Sequence, residues 1–325
     1  MKGQTNRRDL LKLGACCTGA LALRPLASKA LYHPAPVIDA HIHLFDPSRT
    51  GGVPWPEKDD TTLYRPALPG RYEALAAPCG VVGAIAIEAS PLATDNQWLL
   101  NLAARNPLIV GVIGDLVPVS PSYLSELEQL HRDPLFLGFR YGNLWKRDLS
   151  LDLLKPGFVD GLKALAQAGL VFETANPDAR LIQAVLNISD QVPDLRIVID
   201  HLPHATVPAE TAAREAYSSD LRRLAHNPKV YIKLSEIPVL RNGNLVKDPQ
   251  AYKEPLDAIW DIFGEGHILF GSDWPNSELL ATYSETFAIV REYISQNKAA
   301  ASDKFFWQNS IAAYQWRHRK SGQPG

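Results

Sequence analysis

Val37-Ile38-Asp39-Ala40-His41-Ile42-His43 is a short apolar run that ends in two histidines one residue apart, and Leu44-Phe45-Asp46-Pro47 breaks it at once. On an extended chain alternate side chains share a face, so His41 and His43 are expected to point the same way. Two imidazoles on one face at the end of a buried strand suit the holding of one metal ion or one substrate. A pair of histidines satisfied in a loop has the same local pattern, so the context must decide. That context lies at Ile268-Leu269-Phe270-Gly271-Ser272-Asp273-Trp274-Pro275, a second apolar run that ends in a carboxylate and a proline.

Between these stretches, short apolar runs alternate with segments of helical spacing. Strands are predicted at Val37–His43, Val81–Ala89, Leu108–Leu116, Phe136–Gly142, Leu170–Ala175, Arg196–Leu202, Val230–Ser235 and Ile268–Trp274. Most are continuous runs of Val, Ile, Leu and Phe, the signature of parallel strands covered on both faces. Helices are predicted at Asp95–Arg105, Pro121–His131, Pro156–Ala168, Pro177–Gln191, Ala209–His226, Pro249–Phe263 and Ser277–Gln296. The third opens with proline and is followed by Gly169, a start and stop pair. Eight strands alternating with helices predict a closed α/β barrel of the (β/α)8 type, a TIM barrel, rather than an open sheet. The segment His43–Arg71 is too long for an ordinary connection and reads as an active-site loop that brings Trp55 and Tyr64 over the mouth. A final helix is expected at Ala300–Arg319, with Phe305, Phe306, Trp307, Tyr314 and Trp316 as packing anchors. One domain, residues 36–320, accounts for all of this.

The first thirty residues differ from the rest. Arg7-Arg8 precede a modest apolar stretch from Leu10 to Leu23, and Ser28-Lys29-Ala30 offers small residues at a cleavage position. This pattern resembles a twin-arginine export signal, which places the mature chain in the periplasm. The apolar stretch is too short and interrupted to remain as a membrane anchor. Removing residues 1–30 takes away six basic residues (Lys2, Arg7, Arg8, Lys12, Arg24, Lys29) and one acid (Asp9), moving the formal charge from -2 to -7. With no basic cluster interleaved with aromatics, nucleic acid is excluded as a partner and a small molecule is expected. The mature chain is expected to be monomeric or weakly oligomeric. Of three cysteines, Cys16 and Cys17 fall inside the signal, so Cys79 alone remains and no internal disulfide forms.

In barrels of this kind the chemistry sits at the C-terminal strand ends. Those ends carry His43, Glu88, Asp115, Arg140, Glu173, His201, Lys233 and Asp273 in order. Charged side chains are rarely buried without partners. Eight ionisable groups converging on one mouth therefore argue for an enzyme.

His41-x-His43, His201 in Ile199-Asp200-His201, Lys233-Leu234-Ser235 and Gly271-Ser272-Asp273-Trp274-Pro275 together resemble the amidohydrolase superfamily. The branch they most resemble contains sugar-acid lactonases and 2-pyrone-4,6-dicarboxylate lactonase. The resemblance runs from about residue 36 to the C-terminus. It implies a distorted (β/α)8 barrel that hydrolyses an ester or amide. Two departures count against a binuclear centre: Arg140 ends strand four where a bridging lysine would stand, and Glu173 ends strand five where many members have histidine. The resemblance leaves one divalent ion, zinc being the expected one, on His41, His43 and one or two of Glu173, His201 and Asp273. Some lactonases of the branch work without metal.

Asp273 is assigned as the residue that takes a proton from the attacking water and returns it to the leaving alkoxide. Its plainer role would be to cap the helix after Pro275. His201, with His41 and His43, would polarise the carbonyl oxygen; alone it would read as a core histidine. Arg140, Glu88, Lys233, Trp55 and Trp274 are assigned to substrate binding. For Arg140 the alternative is an ion pair with Glu88 or Glu173, and for the tryptophans it is closing the barrel top. His204 reads as a solvated loop residue. The expected reaction is hydrolysis of a small cyclic ester such as a sugar lactone. The alternatives are non-oxidative decarboxylation of an aromatic or related acid, and a silent barrel that only binds a sugar acid.

Overall fold

The computed structural model describes residues 36–325. The export-signal reading of residues 1–30 lies outside the described residues. Eight parallel strands form one sheet in sequential order: β1 (Val37–His43), β2 (Val81–Ile87), β3 (Ile109–Gly114), β4 (Phe136–Arg140), β5 (Val171–Thr174), β6 (Arg196–Ile199), β7 (Val230–Leu234) and β8 (Ile268–Phe270). Each lies within its predicted span. Helices α1 (Pro69–Ala76), α2 (Ala93–Arg105), α3 (Tyr123–His131), α4 (Leu149–Asp152), α5 (Phe158–Gln167), α6 (Ala179–Gln191), α7 (Thr211–Ala225), α8 (Gln250–Phe263), α9 (Tyr283–Asn297) and α10 (Asn309–Tyr314) complete the described set. A two-residue hairpin, Leu240–Arg241 against Asn244–Leu245, follows β7. Among the described residues, no helix is long and apolar enough to cross a membrane.

The sheet closes into a barrel through the turn after β8. Asp273 N–H donates to His41 O at 2.9 Å, and His43 N–H donates to Trp274 O at 2.7 Å. The glycine that opens this turn is required by its neighbour. A Cβ on Gly271 would stand 2.6 Å from that of His41. Asp39 fastens the same seam from the helix side: its buried carboxylate accepts from Ser272 N–H at 2.8 Å, Tyr72 OH at 2.9 Å and Tyr283 OH at 3.0 Å.

Strand β1 does not keep simple alternation. Ile38 and Ala40 pack in the barrel interior, whereas Val37 and Ile42 pack against the helices. A register shift between Asp39 and Ile42 breaks the period. Both His41 and His43 thereby point inward beside Ala40.

Two expectations, one for the loop after β1 and one for the C-terminal segment, need correction. The loop after β1 is shorter than read, because Pro69 and Arg71 already belong to α1. The C-terminal helix is also broken. It runs as a 3-10 turn (Ala299–Ala301), a π turn (Lys304–Gln308) and α10, and stops where Gln315 turns left-handed at φ 56°. Phe305 and Phe306 pack on the outside of the barrel, while Tyr314 and Trp316 join the interior cluster.

Candidate active site

The four strands β5 to β8 end alike. Two or three residues beyond each comes a non-glycine residue in the left-handed region: Asn176 (φ 55°), His201 (φ 51°), Glu236 (φ 54°) and Asp273 (φ 57°). Such a conformation costs about 1–3 kcal/mol per residue and persists where the surroundings enforce it. Here it turns each side chain off the strand line and over the barrel mouth. All four line one cavity of about 280 Å³, together with His43, Trp55, Ala89, Arg140, Leu144, Trp145, Ala175 and Asn276.

Three donors meet at its floor. His41 Nε2 and His43 Nε2 lie 3.2 Å apart, and Asp273 Oδ1 lies 3.4 Å from the first and 3.2 Å from the second. His43 Nδ1 stands 3.2 Å from Ile87 O. A carbonyl only accepts, so Nδ1 carries the proton and Nε2 presents a lone pair to the carboxylate. Burial lowers the pKa of His43, against the pull of Asp273, and it lowers that of His41 further, with the Lys233 charge adding. Burial opposes ionisation of Asp273. The three imidazoles that surround it, those of His201, His43 and His41, outweigh that cost and hold the carboxyl well below its ordinary range. Facing lone pairs with no proton between them call for a cation. Tetrahedral zinc with nitrogen and oxygen ligands near 2.0–2.2 Å sets its donors about 3.3 Å apart, the spacing found here. The residues present therefore fit a single divalent ion on His41, His43 and Asp273.

Beneath this floor runs a ladder of buried charge. Arg140 Nε donates to Glu88 Oε1 at 2.8 Å and its Nη1 reaches Asp200 Oδ2 at 3.4 Å. Lys233 Nζ lies 3.0 Å from Asp200 Oδ1 and 2.7 Å from Glu173 Oε1, and Tyr314 OH donates to Glu173 Oε2 at 2.6 Å. With Asp273, four buried carboxylates face two buried cations. The interior resists that surplus: burial pushes Glu88 up to about 7, against Arg140, and pushes Glu173 up to about 8, with the charge of Asp200 adding. A divalent ion would balance it.

His41, His43, His201 and Asp273 come together as expected. His201 has Nδ1 at 2.8 Å from Ser235 Oγ, and its ring centre is 4.6 Å from that of His41. It groups with Glu236 and Asp273, donor atoms within 4.8 Å of one another. Glu173, expected among the metal ligands, is not in the donor set; both its oxygens are taken by Lys233 and Tyr314. Three residues expected at the substrate are below it or beside it. Lys233 is fully buried in its ion pairs. Glu88 is consumed by Arg140, Trp145 Nε1 at 3.1 Å and Ser90 N–H at 2.9 Å. Trp274 is buried against Tyr72 and donates Nε1 to Glu278 at 2.9 Å. Arg140 and Trp55 do line the cavity, Trp55 edge-on to His43 at 5.7 Å. Tyr64 and His204 do not line it. Asp115 is drawn off by Arg147 at 2.6 and 3.0 Å. Sequence reasoning missed Asn176, Glu236, Asn276, Trp145 and the buried Asp200. The signal for the first two was their offset: they occupy on β5 and β7 the places that His201 and Asp273 occupy on β6 and β8.

A closed parallel barrel with two histidines on β1 and an aspartate after β8, gathered at the C-terminal mouth, defines a barrel hydrolase of the metal-assisted kind. The chain belongs to the amidohydrolase family whose model matches residues 38–316. It is 30% identical over 250 residues to an L-fucono-1,5-lactonase of Burkholderia ambifaria, covering 76% of this chain and 83% of that one. It is 27% identical over 291 residues to an L-fucono-1,5-lactonase of Burkholderia multivorans, covering 85% and 94%. A crystal structure of an amidohydrolase from Burkholderia multivorans with bound zinc superposes with a TM-score of 0.76 at 26% identity, covering 87% of this chain and all of that one.

Proposed function

We propose that this protein is a zinc-assisted lactonase that opens a small sugar-acid 1,5-lactone with water. The convergence of His41, His43 and Asp273 on one point of the cavity floor carries this reading, and the two lactonase relatives support it. His41, His43 and Asp273 would hold the ion, with His201 beside them. When bound, zinc would polarise the lactone carbonyl as a Lewis acid. Asp273 is ionised at neutral pH and accepts a proton from water as it attacks the carbonyl carbon. Asn276 Nδ2, donating to Asp273 Oδ2 at 2.7 Å, holds the carboxylate in place for this step. The acyl–oxygen bond of the ring then breaks, and the same carboxyl returns the proton to the departing alkoxide. Trp55 and Trp145 wall the cavity and restrict bulk water.

Decarboxylation of an aromatic acid fits the cavity less well. Arg140, the only lysine or arginine among the described residues that line it, is already paired with Glu88 and Asp200. Glu236 adds negative charge where an acid would have to bind.

Acid release from L-fucono-1,5-lactone and related sugar lactones, followed with a pH indicator, tests the proposal. Asp273→Asn should lower kcat about 10²–10⁴-fold with its thermal unfolding unchanged, and a chelator should remove activity that added zinc restores. A folded variant that retains turnover removes Asp273 from its role. Indifference to chelator removes the ion.

A further inference from the structure

Glu236 has no part in the steps above, yet the fold holds it at the mouth in an unfavourable backbone conformation. Asn and Asp visit the left-handed region with help from their short side chains, and glutamate lacks that help. Ser235, directly before it, is buried and bonded to His201 Nδ1, so the turn that presents Glu236 is anchored to the reaction centre. Glu236 Oε1 accepts from Asn276 Nδ2 at 3.3 Å, and the same amide donates to Asp273 Oδ2. One asparagine thus spaces the two carboxylates. The histidines nearest to Glu236, His201 at 3.9 Å and His204 at 4.0 Å, stand beyond hydrogen-bond distance. Oε2 therefore keeps its accepting capacity, on a side chain 28% exposed at the cavity wall. Trp55 and Trp145 also line that cavity, and their flat apolar faces suit ring C–H groups. A carboxylate accepts only, and its hydrogen bonds are charge-assisted, so it favours a ligand rich in hydroxyl donors and repels an anion.

We infer that Glu236 is the specificity residue of this site, selecting an uncharged polyhydroxylated ring by accepting hydrogen bonds from its hydroxyl groups. The inference rests on the lactonase reading for its reaction, and its test is arranged to separate the two. The hydrolysis arm compares kcat/KM for L-fucono-1,5-lactone with that for δ-valerolactone, which has the ring and carbonyl but no hydroxyls. The ratio should fall about tenfold in Glu236→Gln. The binding arm uses calorimetry with 1,5-anhydro-L-fucitol, the same ring with a methylene in place of the carbonyl. Wild type should bind it about tenfold more tightly than the variant. Glu236→Asn, better suited to the left-handed backbone, should lose the same selectivity with an equal or higher Tm. A merely structural glutamate would instead lower Tm and leave the ratio alone. Equal ratios and equal polyol binding in wild type and variants overturn the inference, as does a wild type that binds no polyol. A wild type that binds the polyol through Glu236 but opens no lactone overturns the lactonase reading and leaves the inference standing.

Discussion

His43 presents a lone pair to the centre because one carbonyl, Ile87 O, claims its other nitrogen. His41 needs the same service, and Asp200 is placed to supply it with Oδ1 at 3.5 Å from Nδ1. Lys233 competes for that nitrogen at 3.3 Å. Burial opposes the charge of Asp200, but Lys233 and His41 keep it well below the usual carboxylate range, so it stays an acceptor. Outer carboxylates of this kind orient metal-binding imidazoles. Asp200→Asn should therefore weaken zinc binding about 10–100-fold, measured by competition with a chromophoric chelator on protein shown to be folded. Unchanged affinity would make Asp200 a partner of Lys233 and Arg140 alone. At this scale His41, His43, His201 and Asp273 were legible in the sequence, because motif and strand-end position coincide in them. Glu173 and Lys233 were misplaced because the last ionisable residue inside a strand points into the barrel. The side chain over the mouth comes three residues later, in the turn where Asn176 and Glu236 go left-handed.

The elements themselves follow from local pattern. All eight strands appear where continuous apolar runs stand, and every predicted helix has a counterpart. The last of the seven starts late, because Asn276–Leu279 forms a separate 3-10 turn and α9 begins only after its own cap. That cap is a reciprocal box: Glu285 N–H donates to Thr282 Oγ1 at 3.3 Å, and Thr282 N–H donates to Glu285 Oε2 at 3.1 Å. Thr282→Ala should cost about 0.5–2 kcal/mol in urea unfolding at neutral pH. The hydrogen bonds from Lys247 and Thr282 draw the Glu285 carboxyl down to about 2. A depressed folded pKa stabilises above the ordinary glutamate value, and the contribution is lost as pH falls toward 2. The difference between wild type and Thr282→Ala should accordingly narrow over that acid range. A gap independent of pH would take Glu285 out of the box. The irregularity in β1 was not legible, since strict alternation would send His41 and His43 to the same side as Val37 and Asp39. The break depends on pairing with β2 and on the seam with the turn after β8.

For the molecule as a whole, the C-terminal segment does more than cover the barrel. Tyr314 enters its interior and donates to Glu173, the last rung of the charge ladder that ends at the metal donors. Tyr314→Phe removes the phenol and leaves a buried carboxylate oxygen short of a partner. It should destabilise the fold by about 1–3 kcal/mol, read from chemical unfolding. No change would mean that Glu173 is satisfied by Lys233 alone. The aromatics of this segment read as core anchors from sequence, and Phe305, Phe306, Tyr314 and Trp316 are buried. Their division between the outer layer and the barrel interior was not legible, because the helix that carries them breaks at a π turn and ends early. By itself, the sequence determined the eightfold alternation, the parallel barrel and the histidine and aspartate positions, since strand burial and short motifs are written in neighbouring residues. Only the tertiary structure decided which charges reach the cavity and which neutralise one another beneath it. Those partners are joined across distances such as Asp39 to Ser272, 233 residues apart, and barrel closure with the left-handed turns beyond the strands, not local periodicity, brings them together.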